Sequence, residues 1–167
     1  WSNDESRILT SDTDTIRIWE TGSGKELVSL DAQVDPPQVV WNENESQILT
    51  FNNTATLWDT FSGQELFKLE GHKHGITKAI WSKDGDKLLT SSNDATVRIW
   101  DTTNGSELAK FTGVHQAIWN TDNSKILTIS GDVWQGGDNT ARIWDANTGK
   151  ELVRFEGHAA FVMQAIW

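Results

Sequence analysis

Residues 96–111 read TVRIWDTTNGSELAKF, and their reading decides the fold. Val97, Ile99 and the residues between them alternate along a β-branched, aromatic run that ends in Trp100-Asp101. That pattern is a strand; TTNG is a turn, and SELAKF is a second strand. Nearly the same phrase returns as TIRIWETGSGKELVSL from Thr15, TATLWDTFSGQELFKL from Thr54 and TARIWDANTGKELVRF from Thr140. The chain is therefore an internal repeat, and the repeat governs every further inference about its fold. A second tryptophan series marks the same frame: Trp1, Trp41, Trp81, Trp119 and Trp167 lie 40, 40, 38 and 48 residues apart. Of the ten tryptophans, only Trp134 falls outside both series.

The third repeat shows the unit best. HGITKAIW (74–81) alternates Ile76, Lys78 and Ile80 with Thr77, Ala79 and Trp81, as a strand a requires. SKDGDK (82–87) carries an Asp-Gly hairpin signal, LLTSS (88–92) makes a short strand b, and Asn93-Asp94 turns the chain into strand c. With SELAKF as strand d, each repeat is one antiparallel meander of four strands.

A four-stranded meander at this period, closed by Trp-Asp, resembles the WD40 β-propeller family over the whole chain. The resemblance implies an all-β fold: a β-propeller built of four-stranded antiparallel WD40 blades, with four blades' worth in this chain. The repeats are then 1–40, 41–80, 81–118 and 119–166, forming a single WD40 segment over 1–167 whose terminal strand a ends at Trp167. The resemblance also implies a buried hydrogen-bonded set in the third repeat, formed by His72, Ser92 (or Thr90), Asp94 and Trp100. Asp138 and Trp144 match it in the fourth repeat, and His158 fits the same histidine position. The second repeat has Asn52 where Asp94 would stand, and the first has Asp12 and Asp14 flanking Thr13. Neither of these two sets is complete, and the fourth lacks the Gly-His before its strand a, His158 standing instead before the terminal strand a.

Composition removes several classes of function. The net charge of −10 argues against nucleic acid, whose binding depends on Lys and Arg neutralising phosphates. Cysteine is absent, which excludes disulfides and thiolate metal sites. There is no long apolar run, no nucleophile elbow, no phosphate-binding loop and no paired-histidine metal spacing, so neither a membrane span, an enzyme, a metal nor a cofactor is expected. Asp59, Asp101 and Asp145 are expected to accept hydrogen bonds in the c–d turns.

The expected function is that of a non-catalytic interaction scaffold or sensor binding a protein partner through its loop face. In the family's geometry the b–c and d–a loops share one face. The candidate contacts there are Asp132, Trp134 and Gln135 in the long fourth b–c loop, Pro36 and Pro37 in DAQVDPPQ, His74 in GHKHG and Phe161 in GHAAF. The repeat style resembles bacterial WD40 arrays, and a cytoplasmic setting is expected. Two alternatives stay open: a small polar or anionic ligand in a channel lined by Arg17, Arg98 and Arg142, and a purely structural role in a larger assembly. Because the chain runs b-c-d first and ends on strand a, its ends allow a piece of a larger propeller, a ring closed by a second copy, or a self-closed four-blade ring.

Overall fold

The computed structural model describes residues 2, 4–32, 38–130 and 137–167. Among them there are fifteen strands and no helix, so no helix is long and apolar enough to cross a membrane. Sheet 1 is β1 (Arg7–Ser11), β2 (Thr15–Glu20) and β3 (Glu26–Asp31). Sheet 2 is β4 (Gln38–Trp41), β5 (Gln47–Phe51), β6 (Ala55–Asp59) and β7 (Glu65–Leu69). Sheet 3 is β8 (Ile76–Trp81), β9 (Lys87–Ser92), β10 (Thr96–Asp101) and β11 (Glu107–Thr112). Sheet 4 is β12 (Val114–Trp119), β13 (Lys125–Ser130), β14 (Ala141–Asp145) and β15 (Glu151–Phe155). Every pairing is antiparallel between chain neighbours, as the meander reading requires. The chain divides into two compact units, Trp1–Gly71 and His72–Trp167.

Each unit is held by two sheets packed on an apolar layer. In the first, Ile16 and Leu30 of sheet 1 meet Ile48 and Trp58 of sheet 2, with Val39 and Trp41 against them. In the second, Val97, Ile99 and Phe111 of sheet 3 meet Val114, Ala117 and Ile126 of sheet 4, with Trp119 and Trp144 against them. Phe111 and Trp144 lie 4.7 Å apart, and the Trp119 indole N–H donates to the Ile80 carbonyl at 3.2 Å. The strand-a tryptophans thus explain the second periodic series: Trp41 and Trp119 each reach from one sheet onto the preceding one. Burying aromatics of this size supplies much of the apolar area that holds such a stack together.

Two local devices repeat. The c–d register shifts at every strand-c tryptophan, between Ile18/Trp19, Leu57/Trp58, Ile99/Trp100 and Ile143/Trp144. Each shift sets the tryptophan opposite a glutamate: Glu26, Glu65, Glu107 and Glu151. The a–b turns all contain one left-handed residue, Glu5 (φ 58°), Glu45 (59°), Gly85 (79°) and Asn123 (57°). Only Gly85 is free of the Cβ clash that this conformation brings.

Residues 161–167, the expected terminal strand a, form no strand. A strand depends on ladder hydrogen bonds to a neighbour, and this segment pairs with none among the described residues. By contrast, the short connection before the fourth repeat leaves its strands intact: Gly113 (φ 71°) is all that separates β11 from β12.

Candidate functional site

The indole N–H of every strand-c tryptophan donates to a threonine on strand b. Trp19 bonds Thr10 at 2.8 Å, Trp58 bonds Thr50 at 3.0 Å, and Trp100 and Trp144 bond Thr90 and Thr128 at 2.8 Å. These threonines close the ILT or LLT words of the four repeats. The shared signal was present in the sequence, but the expected partner in the third repeat was Ser92 first and Thr90 second. Thr90 takes the role. Ser92 instead donates to the His74 carbonyl at 2.9 Å and accepts the Asp94 N–H at 3.1 Å.

In sheet 3 the chain of hydrogen bonds continues. His72 Nε2 lies 2.8 Å from Thr90 Oγ1, and His72 Nδ1 lies 3.1 Å from Asp94 Oδ2. The ionised Asp94 carboxylate only accepts, so Nδ1 carries the ring proton and the bare Nε2 accepts the Thr90 hydroxyl, whose oxygen in turn accepts the indole N–H. The histidine is then neutral and donates from Nδ1 to Asp94, an assignment that rests on hydrogen-bond complementarity. Asp94 also accepts the Lys73 N–H (2.9 Å), the Thr96 N–H (2.9 Å) and the Thr96 hydroxyl (2.6 Å). Burial pulls the Asp94 carboxyl upward, but these donors outweigh it and hold it well below the usual carboxylate range. Burial lowers the His72 pKa, opposed by the Asp94 carboxylate. The network therefore ties the backbone of residues 72–75 to strand b and the b–c turn while Lys73 and His74 stay exposed.

The other b–c turns keep parts of this set. Asp12 accepts from the Thr15 N–H and hydroxyl at 2.7 and 2.9 Å, so it does for the first strand c what Asp94 does for the third. Asp138 accepts the Thr140 hydroxyl at 2.6 Å and pairs with Arg142. His158 departs from its expected place: it is exposed, and among the described residues it lacks the strand-b threonine, b–c-turn aspartate and strand-c indole that surround the His72 ring. Phe161 and His74 are exposed, as a contact residue must be. Pro36, Pro37, Asp132, Trp134 and Gln135 lie outside the described residues.

Asp59, Asp101 and Asp145 cap the c–d turns, accepting from Ser62, Thr103 and Thr148 side chains at 2.6, 2.6 and 2.8 Å. The arginines two residues before the tryptophans are ion-paired. Arg17 meets Glu26 at 2.8 Å, Arg98 meets Glu107, and Arg142 meets Glu151 at 3.6 Å. Arginines neutralised in this way are poor receptors for an anion. Among the described residues, no group of three or more His, Asp or Glu is placed to hold a metal ion.

The family model described as "WD domain, G-beta repeat" matches residues 63–101, which run from the second c–d turn through Trp100-Asp101. The chain resembles the WD40-repeat family, and its residues 63–101 match that family's repeat. Its WD40 repeats are similar to serine-threonine kinase receptor-associated protein from Gallus gallus (32 % identical over 111 residues, 64 % of this chain and 31 % of that protein) and Mus musculus (34 % over 111 residues, with the same shares). They are also similar to Protein FIZZY-RELATED 3 from Arabidopsis thaliana, 29 % identical over 109 residues, 60 % of this chain and 23 % of that protein. The chain thus spans less than a third of the length of these curated relatives. All are eukaryotic, and none supports the bacterial or sensor character expected from the repeat style.

Proposed function

We propose that this WD40 chain is a non-catalytic scaffold that binds a protein partner through the loop face around residues 71–75. The observation that carries the reading is the network beneath that loop. Asp94 and Ser92 fix the backbone at Lys73 and His74, so two exposed polar side chains are presented on a preorganised support. Ordering the loop beforehand removes much of the entropy that binding would otherwise cost, and recognition residues concentrate on such loops. Relatives named for association with a kinase receptor support a scaffold role rather than a small-ligand role.

The test is a comparison of partner sets by proximity labelling in cells. A Lys73→Glu/His74→Glu chain should lose partners that a Lys25→Glu chain, altered on a c–d turn, retains. Identical partner sets for the two variants would refute the loop-face assignment.

A further inference from the structure

Three of the four sheets carry an arginine two residues before the strand-c tryptophan, and the fourth does not. In sheets 1, 3 and 4 its guanidinium reaches a glutamate nine residues further on. In sheets 3 and 4 it also lies over the adjacent indole, with Arg98 5.9 Å from the Trp100 ring and Arg142 5.8 Å from the Trp144 ring. In sheet 2 the position is Thr56, while the rest of the receptor stays: Trp58 two residues on and Glu65 nine residues on. Thr56 is 7 % exposed, and its side chain makes no hydrogen bond among the described residues. A cleft of about 510 Å³ opens there, lined by Thr56, Trp58, Glu65 and Lys68 of sheet 2 together with Asp31 and Glu70. This volume suits an arginine side chain and its flanking backbone.

We propose that this cleft receives an arginine side chain from a protein or peptide partner, whose guanidinium occupies the place that Arg98 and Arg142 fill in their own sheets. Three carboxylates against one ammonium give the lining the right charge. Lys68 meets Glu65 at 3.7 Å with both side chains substantially exposed, so this pair holds little energy and yields to a better donor. A guanidinium is that donor: its planar fork matches the Glu65 carboxylate and its face stacks on an indole, neither of which an ammonium reproduces. The cleft lies wholly within residues 31–70 and makes no use of the loop face at 71–75.

The test is a titration of the ¹⁵N-labelled full chain with Ac-Ala-Arg-Ala-NH₂, followed by amide chemical shifts, with Ac-Ala-Lys-Ala-NH₂ as the comparison. The expected result is saturable shifts confined to residues 31–32, 54–58 and 65–70, with a dissociation constant of about 1 mM for the arginine peptide. The lysine peptide should bind at least about tenfold more weakly. Thr56→Arg places the chain's own guanidinium in the cleft and should abolish the shifts. Glu65→Gln, which leaves the cleft open, should weaken binding about tenfold. Equal response to the two peptides, shifts mapping elsewhere, or a Thr56→Arg chain that binds like the parent would overturn the proposal. The Lys73→Glu/His74→Glu chain should titrate as the parent does, which separates this outcome from that of the loop-face test.

Discussion

Replacing Thr90 by valine keeps shape and removes one oxygen. That oxygen accepts the Trp100 indole N–H at 2.8 Å, and its proton satisfies His72 Nε2 at 2.8 Å. Thr90 is fully buried and Trp100 is 2 % exposed, so water does not replace either bond. Each orphaned buried group costs roughly 1–3 kcal/mol, and the added methyl returns part of that through apolar burial. The expected loss is about 2–4 kcal/mol. Thr10→Val is the internal control, because Thr10 is exposed and Trp19 only half-buried, leaving the indole N–H within reach of water. It should cost less than about 1 kcal/mol. Urea unfolding followed by circular dichroism, with the midpoint and slope fitted separately, measures both. If the two variants lose the same stability to within about 0.5 kcal/mol, the hydrogen-bonded set is not what secures sheet 3.

Further outcomes follow from the same geometry. Ala95 sits at φ 59°, where a Cβ is strained, so Ala95→Gly should raise stability by about 0.5–1 kcal/mol in the same assay. Gly63 (φ 73°) lies where an added Cβ would come within 2.8 Å of Val28 Cγ1, so Gly63→Ala should cost about 2 kcal/mol and lower the melting temperature. Burial holds the His72 pKa below its ordinary 6.5, so between the two values the unfolded chain binds a proton that the folded chain does not. This contribution to stability is complete above 6.5 and is lost as pH falls through that window; urea midpoints on both sides of it should show the loss, and His72→Gln should flatten it. Glu107→Gln removes the carboxylate that pairs with the buried Arg98 guanidinium and should cost about 1–3 kcal/mol, whereas Glu26→Gln beside the exposed Arg17 should leave the midpoint unchanged.

The meander was legible because its signals are local: alternation sets the strands, and Asp, Asn and Gly set the turns. The choice between Thr90 and Ser92 was not, since residues two apart on a strand share a face and periodicity treats them alike. Register decides it: Thr90 sits opposite Arg98 and Leu88 opposite Trp100, so the long indole reaches back one pair to Thr90. His158 was misplaced for a related reason. A histidine at this position is buried by strands b and c of the sheet that follows it, as His72 is by Thr90, Asp94 and Trp100, and whether 161–167 pairs with such strands is a question of partners that local pattern does not contain. The arginine–glutamate spacing was visible in three repeats, but the cleft at Thr56 is an absence. It becomes apparent only when the space around the shorter side chain is seen.

The connection through Gly113 has a mechanical consequence. With one residue between β11 and β12, the chain has no slack between sheets 3 and 4, since one residue spans at most about 3.6 Å. A load that pulls β11 away from its neighbours is transmitted directly to β12, and the apolar layer shared by the two sheets is sheared in the same movement. Stretched from its ends, this part of the molecule should lengthen in one step spanning both sheets, with no plateau in which sheet 4 is drawn out while sheet 3 still resists.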